Sequence, residues 1–173
     1  MNRLFLVGLA LAIGGNCSAA CNNVKLIGHY SNMEWTNDED PHLVDGYSVS
    51  LYKCDTRVFG KISIAVGSPE AVSGQLYDVA FNRRSGKVIF KAKYSDGQEF
   101  SKDTGPQGRE ARTYLSFSGI VSPHALRGVV VLRDAYHGVT SAKAKQQVLK
   151  RSDDNDVPKS EEEFVKSRPF PTW

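Results

Sequence analysis

The chain has 173 residues, and its 22 basic and 19 acidic residues leave a formal net charge of +3 at pH 7. Basic and acidic residues alternate along most of the chain, whereas a dedicated nucleic-acid-binding protein normally shows a clustered basic face. After residue 20, no apolar run approaches the roughly 20 residues that a transmembrane helix needs. These features exclude the simplest nucleic-acid and membrane classes and favour one globular domain.

Residues 1–20 have the three parts of a secretory signal peptide. Arg3 supplies the positive charge, residues 4–13 are apolar, and Ser18 and Ala20 are small residues near the cleavage point. The apolar run is too short to remain in a bilayer as a spanning helix. We therefore expect cleavage after Ala20 and bacterial export to the periplasm or beyond.

The cysteines are consistent with export. Cys17 would leave with the signal peptide, so the mature chain would keep only Cys21 and Cys54. An even pair in an exported protein predicts one disulfide. The alternative is a lipoprotein, in which a lipid on Cys21 anchors the protein to a membrane and Cys54 stays unpaired. The residues before Cys21 match a bacterial lipobox only in being small, because the usual Leu three positions earlier is missing.

Alternation of apolar and polar residues predicts seven or eight strands. The predicted strands cover residues 24–30, 47–52, 58–66, 77–81, 87–94, a short stretch around Phe100, 113–118 and 126–133. Turns are predicted at 82–86, at Asp96-Gly97 and at 122–124. The fold class is therefore all-β, a single antiparallel meander barrel or half-open barrel.

The pattern changes after Gly138. Several good helix formers predict a helix over residues 141–151. Ser160 and Glu163 have the spacing of a capping box, which predicts a short helix over 161–166. We therefore assign the barrel to residues 21–138 and a C-terminal tail with one or two short helices to 139–173. The aromatic residues of the tail either dock on the barrel or a partner, or the tail is loosely ordered.

Catalytic and metal-binding signatures are missing from the sequence. It contains no nucleophile elbow, no HExxH, no phosphate-binding glycine loop and no Cys-x-x-Cys pair. The four histidines have no metal-ligating spacing, so we expect no enzyme activity, no metal and no cofactor. The most polar stretch is a candidate interaction loop that does not fit an EF-hand, and its residues are Asp38, Glu39, Asp40, His42 and Asp45.

A local basic strip precedes and follows one predicted turn. It lies beside Tyr94 and consists of Arg83, Arg84, Lys87, Lys91 and Lys93. Such a strip would attract an anionic ligand or partner surface. The alternative is that lysines on an exposed strand face only discourage edge-to-edge aggregation.

Two parts of the sequence resemble small secreted bacterial barrels of the lipocalin-like (calycin) type. Leu26-Ile27-Gly28-His29-Tyr30, followed by Asp45-Gly46-Tyr47-Ser48-Val49, is similar to their opening, where a Gly-x-aromatic motif lies on the first strand. Phe117-Ser118-Gly119 and Leu126-Arg127-Gly128 look like their recurrent hairpins. The resemblance covers residues 24–133 and implies a barrel with a ligand cavity or an interaction surface.

Three functions remain open at this point. The first is a non-enzymatic binding protein, with a periplasmic protein or a small apolar ligand as partner. In the latter case the inner face would line a pocket rather than fill a core, and its residues would include Tyr47, Val49, Leu51, Phe90 and Phe117. The second is an inhibitor or immunity-type protein that blocks a hydrolase through the loops at 38–45 and 101–110. The third is a hydrolase or isomerase with a carboxylate–His pair at the barrel mouth. No nucleic-acid partner is expected.

Overall fold

A computed structural model describes residues 21–36, 43–138, 142–153, 156–167, 171 and 173. Residues 1–20 and most of the candidate interaction loop, namely Asp38, Glu39, Asp40 and His42, lie outside the described residues. The strands are β1 (Lys25–Ser31), β2 (Glu34–Trp35), β3 (Val44–Cys54), β4 (Arg57–Ser68), β5 (Val72–Phe81), β6 (Lys87–Glu99), β7 (Arg109–Val121), β8 (Ala125–Asp134) and β9 (Lys143–Ser152), and the helix is α1 (Glu161–Ser167).

The strands form a closed antiparallel barrel. Strands β3 to β9 pair in chain order, and β1 pairs with both β3 and β9, which closes a barrel of eight strands. The short β2 adds to β3 beyond the end of β1, with Trp35 opposite Val44. The predicted all-β meander barrel is therefore confirmed.

The two ends of the barrel differ. The connections that leave β4, β6 and β8 and the short strand β2 are at one end, which we call the loop end. The opposite end, which we call the disulfide end, carries tight turns. At one of them the Asn82 side-chain oxygen accepts hydrogen bonds from the N–H groups of Arg84 and Ser85 at 3.0 and 3.1 Å. The predicted turns at 82–86 and 122–124 are both confirmed.

The inner face of the barrel is filled by one apolar cluster. All five inner-face residues named from the sequence belong to it, and they are Tyr47, Val49, Leu51, Phe90 and Phe117. The rings of Phe90 and Phe117 are stacked, with centroids 4.8 Å apart. Gly119 and Gly128 face each other across β7 and β8, and a Cβ on either would lie within 2.7 Å of the Phe117 ring. The two glycines therefore make room for this ring at the centre of the barrel.

The paired segment between β1 and β9, which we call the seam, is the shortest between neighbouring strands of the barrel. These strands pair only from His29 to Ser31, opposite residues 150–152. Beyond Ser31 the seam is bridged by side chains, because the Asn32 amide donates to the Gln147 side-chain oxygen at 2.9 Å. Asn32 also accepts a hydrogen bond from the N–H of Tyr47 at 2.8 Å, so one residue joins β9 to β3.

A second apolar cluster lies on the outside of the barrel, beneath α1. It contains Cys21, Tyr52, Cys54, Phe59 and Phe164. The Phe164 ring packs edge-on against the rings of Tyr52 and Phe59, with centroids 5.7 and 5.1 Å away. Cys21 and Cys54 form the predicted disulfide, with their Cα atoms 6.1 Å apart. The disulfide uses the Cys21 sulfur atom, so in this structure that atom is not available for the thioether bond of a lipid anchor.

Helix α1 confirms the predicted C-terminal helix. The N–H of Glu163 donates to the Ser160 hydroxyl at 3.1 Å, and the Glu163 carboxylate accepts from the N–H of Lys159 at 2.8 Å. These bonds satisfy N–H groups that a helix start leaves unpaired. Within the described residues, no helix has the length and apolar character that a membrane span requires.

The predicted helix over residues 141–151 is wrong, because residues 143–152 form β9. This strand pairs with β8 from Lys143 to Lys150 and buries Leu149, which is 1% exposed, in the barrel core. Pairing with β8 and burial of Leu149 outweigh the modest helix propensity of the segment. The strand that completes the barrel therefore lies beyond Gly138, the residue at which the sequence predicted the barrel to end.

The predicted turn at Asp96-Gly97 is also wrong. Ser95 lies opposite Arg112 and Gln98 opposite Glu110, so Asp96 and Gly97 together oppose the single residue Ala111 and form a bulge. Gly97 has a φ of 68°, the left-handed conformation that this kind of bulge favours. Strand β6 therefore continues to Glu99, and no separate strand forms around Phe100.

Loss of the disulfide should destabilise the barrel strongly. The two cysteines are 33 residues apart, and closing a loop of this size removes unfolded-state entropy worth about 3–4 kcal/mol. We expect the Cys21→Ala/Cys54→Ala variant to lose about that much unfolding free energy in urea titrations. A reductant should lower the urea midpoint of the wild type and leave that of the double variant unchanged. Equal midpoints for the oxidised and reduced wild type would show that the bond does not support the fold.

Candidate functional site

The outer wall of β5 to β8 carries a row of cations and aromatic rings. Because Val88, Phe90 and Ala92 point into the core, the alternating residues of β6 point outward. Lys93 lies directly opposite Tyr114 on β7, and Tyr114 lies directly opposite Arg133 on β8. A second row, next to the first, places Lys91 opposite both Tyr77 and Ser116. We call Tyr77, Lys91, Lys93, Tyr114 and Arg133 the cation–aromatic face.

A groove of about 420 Å³ runs along this face, on the outside of the barrel. Its floor and walls include Tyr77, Lys91, Tyr114, Ser116, Val131 and Arg133. Aromatic and aliphatic surface therefore lies between a lysine and an arginine. Such a groove can bind a ligand that combines an apolar part with a negative charge.

The charges of this face are only partly neutralised. Lys91 Nζ is 2.8 Å from the Asp78 carboxylate, and this hydrogen-bonded contact raises the pKa of Lys91. Lys93 and Arg133, in contrast, have no Asp or Glu partner among the described residues. These two cations flank Tyr114 from both neighbouring strands, so they give the face its positive potential.

The Trp173 ring packs beside this row. It meets the Tyr114 ring edge-on with centroids 5.6 Å apart, and Lys93 Nζ lies 5.4 Å from each of the two ring centroids. Lys93 Nζ also donates a hydrogen bond to the main-chain oxygen of Trp173 at 2.6 Å. Of the two alternatives for the tail, the structure therefore shows an aromatic residue docked on the barrel.

Further cation–aromatic packing continues toward the loop end. The Arg109 guanidinium lies 3.6 Å from the Tyr136 ring centroid, and two of its nitrogens donate to the Glu99 carboxylate at 3.0 and 3.1 Å. Arg112 pairs with Glu110 at 2.9 Å. Because both arginines have acidic partners, this region adds little net charge to the cation–aromatic face.

Glu99, Asp134 and His137 place three potential metal ligands within 4.8 Å of one another. Burial works to raise the pKa of Asp134, but hydrogen bonds from the N–H groups of Tyr136 and His137 and from the His137 ring bring it below its usual value. The Glu99 carboxylate is bound by Arg109. The hydrogen bonds to Asp134 thus hold the start of the β8–β9 connection, and Asp134 and His137 are a carboxylate–His pair at the loop end.

His29 makes the other contact that resembles catalytic machinery. On the outer face of β1 its Nδ1 lies 2.8 Å from the Ser50 hydroxyl, and its Nε2 lies 3.1 Å from the Ser48 hydroxyl. Ser50 is only 2% exposed, so a substrate could not reach its hydroxyl. The contacts therefore join β1 to β3, the pair that closes the barrel.

The basic strip named from the sequence is divided by the fold. Lys87, Lys91 and Lys93 share the outer face of β6, but Arg83 and Arg84 lie in the turn at the disulfide end. Of the candidate interaction loop, only Asp45 is described. It lies on β3, and its carboxylate accepts a hydrogen bond from the N–H of Gly46 at 3.0 Å.

Tyr94 does not lie beside the basic strip, because its side chain points into the barrel. Tyr77, Tyr114 and Arg133 could not be assigned to a site from the sequence, because their neighbours depend on the register of three strand pairs. Alternation around Tyr114 and Arg133 was visible in the sequence, but the residues opposite them were not.

Comparisons with protein-family models, with curated proteins and with solved structures found no match to this chain.

Stability should fall at high pH because of Tyr94. Burial raises the pKa of Tyr94 from 10.0 to about 12, and a hydrogen bond with Thr113 offsets only part of this effect. Between these values the unfolded chain loses the phenolic proton while the folded chain keeps it, so rising pH favours unfolding. We expect Tyr94 to account for a loss of about 1 kcal/mol in unfolding free energy between pH 9 and pH 11.

Urea titrations of the wild type and of Tyr94→Phe at both pH values measure this loss. Burial also raises the pKa of Tyr30 and Tyr47, so the variant should keep a smaller pH dependence. The assignment to Tyr94 fails if both proteins lose equal stability over this range.

Proposed function

We propose that this chain is an exported, non-enzymatic binding protein of the lipocalin-like barrel type. Its cation–aromatic face would bind an acidic segment of a partner polypeptide. Export is supported by the signal-peptide features of residues 1–20 and by the disulfide, since such bonds persist in oxidising compartments. The lipocalin-like assignment is supported by the closed antiparallel barrel of eight strands.

The filled interior supports recognition on the outside of the barrel. The inner-face aromatic residues Tyr30, Phe90 and Phe117 are almost completely buried and belong to the same apolar cluster. A barrel of eight strands is wide enough either to be filled by its own side chains or to hold one small ligand, and here the apolar side chains fill it. A small apolar ligand would therefore have to displace core side chains, whereas the outer groove requires no such displacement.

The observation that carries the proposal is the row Lys93–Tyr114–Arg133. An aromatic ring lies between two cations that have no Asp or Glu partner among the described residues, next to a groove of about 420 Å³. Opposite charges attract over distances up to about 10 Å at moderate ionic strength. An acidic segment would be drawn to this row and would pack apolar atoms on Tyr114.

A polypeptide is favoured over other anions because a residue of the chain itself, Trp173, already packs on this face. The main-chain oxygen of Trp173 accepts a hydrogen bond from Lys93, and the Trp173 ring packs on Tyr114. Both contacts are of the kind that a peptide segment of another protein would make. Rigid strands hold the side chains that form them, so little ordering is needed on binding.

The proposal predicts that Arg133→Glu weakens the binding of acidic peptides. Fluorescence anisotropy with a labelled hexaglutamate peptide measures the affinity. We expect Arg133→Glu to raise the Kd about tenfold or more, because an attraction becomes a repulsion at the edge of the groove. The matched control is Lys87→Glu, which makes the same charge change on the outer face of β6 but away from the groove, and it should change the Kd about twofold at most.

Salt provides an independent check on this experiment. Because the attraction is between exposed charges, a rise in salt from 50 to 300 mM should weaken binding to the wild type more than binding to Arg133→Glu. Thermal unfolding shows whether each variant is folded. Equal effects of the Arg133 and Lys87 variants would mean that non-specific charge, and not this face, binds the peptide.

The loop end favours a second candidate function, an inhibitor or immunity-type protein that blocks a hydrolase. Three large apolar side chains are exposed there, with Trp35 at 67%, Phe100 at 65% and Val66 at 61%. Exposed aromatic residues often anchor protein interfaces. They border the loops named from the sequence, since Trp35 precedes the acidic loop and Phe100 begins the β6–β7 connection.

Site-specific photo-crosslinking in cells separates the two candidates. A photo-reactive benzoylphenylalanine replaces Trp35 in one variant and Ser116, an uncharged residue that lines the groove, in another. We expect a crosslinked partner from position 116 and none from position 35. A partner captured only from position 35 would support the inhibitor and contradict binding at the cation–aromatic face.

A further inference from the structure

Trp173 occupies part of the cation–aromatic face in this structure. Its ring has Lys93 Nζ at 5.4 Å and the Arg112 guanidinium carbon at 5.3 Å from its centroid, so cations approach it from two strands. The edge-on contact with Tyr114 has an interplanar angle of 70°. The arrangement is a small aromatic site, built from neighbouring strands and filled by the chain itself.

The same side chains that hold Trp173 belong to the groove and its positive row. Tyr114 lines the groove and also packs on the Trp173 ring. Lys93 lies opposite Tyr114, and its Nζ is engaged by the main-chain oxygen of Trp173. An aromatic ring of a partner that packs on Tyr114 in the same position must therefore displace the Trp173 ring, because two rings cannot occupy the same space.

The site is selective for an aromatic ring. Cations near the face of a ring are attracted by its negative quadrupole, and an edge-on ring pair adds a further preference. An aliphatic side chain at this position would gain neither of these interactions. The chemistry that replaces Trp173 best is therefore another aromatic residue within an acidic segment.

We infer that the partner segment carries an aromatic residue that replaces Trp173 on Tyr114, with Trp173 acting as a built-in competitor. This inference rests on the proposed function and names the partner more closely: an extended acidic peptide with one aromatic residue. Competition within the chain lowers the apparent affinity by the fraction of molecules in which the site is filled. Removal of the Trp173 ring should therefore strengthen the binding of aromatic peptides selectively.

Two labelled peptides and three full-length proteins test the competition. The peptides are Glu-Glu-Trp-Glu-Glu and Glu-Glu-Ala-Glu-Glu, and the proteins are the wild type, Trp173→Ala and the control Trp35→Ala. We expect Trp173→Ala to bind the Trp peptide about tenfold more tightly than the wild type does. The Ala peptide should change by about twofold or less, and Trp35→Ala should match the wild type with both peptides.

The release of Trp173 can be observed directly in a second measurement. The sequence contains two Trp residues, so Trp35→Phe leaves Trp173 as the only tryptophan. Addition of unlabelled Glu-Glu-Phe-Glu-Glu, which contains no Trp, should shift the protein emission to longer wavelength as the ring enters water. Glu-Glu-Ala-Glu-Glu at equal occupancy should cause a smaller shift.

The outcomes distinguish this inference from the function on which it rests. If both peptides bind the wild type and lose affinity in Arg133→Glu, but Trp173→Ala improves neither selectively, the competition is wrong and the binding face stands. If neither peptide binds any of the proteins, both the inference and the proposed function are overturned. Selective tightening in Trp173→Ala together with the emission shift would establish the competition.

Discussion

The double pairing of β1 is the interaction on which the rest of the molecule depends. This strand forms six register pairs with β3 and three with β9, and so converts an open meander into a closed barrel. Closure removes sheet edges and seals the inner apolar face from water, which drives folding. Tyr30, at the point where β1 touches both neighbours, is fully buried. The disulfide fixes the chain that enters β1 to the end of β3, so it supports this closure directly.

A sealed and filled barrel leaves its outer wall for recognition. Alternation along β6, β7 and β8 means that each outward side chain is held between residues anchored in the core. The row Lys93–Tyr114–Arg133 therefore has a fixed geometry before any partner arrives. Trp173 packs on this row because of the same fixed geometry. A rigid aromatic ring between two cations is a site that any nearby aromatic residue can occupy. The recognition that we propose on the wall is in this sense a consequence of closure.

Much of the fold could be predicted from the sequence because it depends on local patterns. Strict alternation in residues 47–52 and 87–94, the capping box at Ser160 and the turn at 82–86 each reflect short-range physics.

Strand β9 could not be predicted in the same way. Only Leu149 is buried along it, and its helix-forming residues become a strand because β8 offers a free edge. Asp96-Gly97 has the composition of a hairpin turn, and pairing with β7 makes it a bulge. Only part of the candidate site could be predicted. The lysines of β6 were identified from the sequence, but the positions of Tyr114 and Arg133 next to them depend on strand register, which no local pattern specifies.

We propose that this barrel recognises its partner on the outer wall and not in its interior. Chemical-shift mapping of the ¹⁵N-labelled protein during titration with Glu-Glu-Trp-Glu-Glu distinguishes the two locations. We expect the largest amide shifts at Lys91, Lys93, Tyr114 and Arg133, with small changes at the core residues Val49 and Leu51. Binding at the outer wall is ruled out if the largest shifts fall on inward-facing residues of β3 and β4, or at the loop end around Trp35 and Phe100.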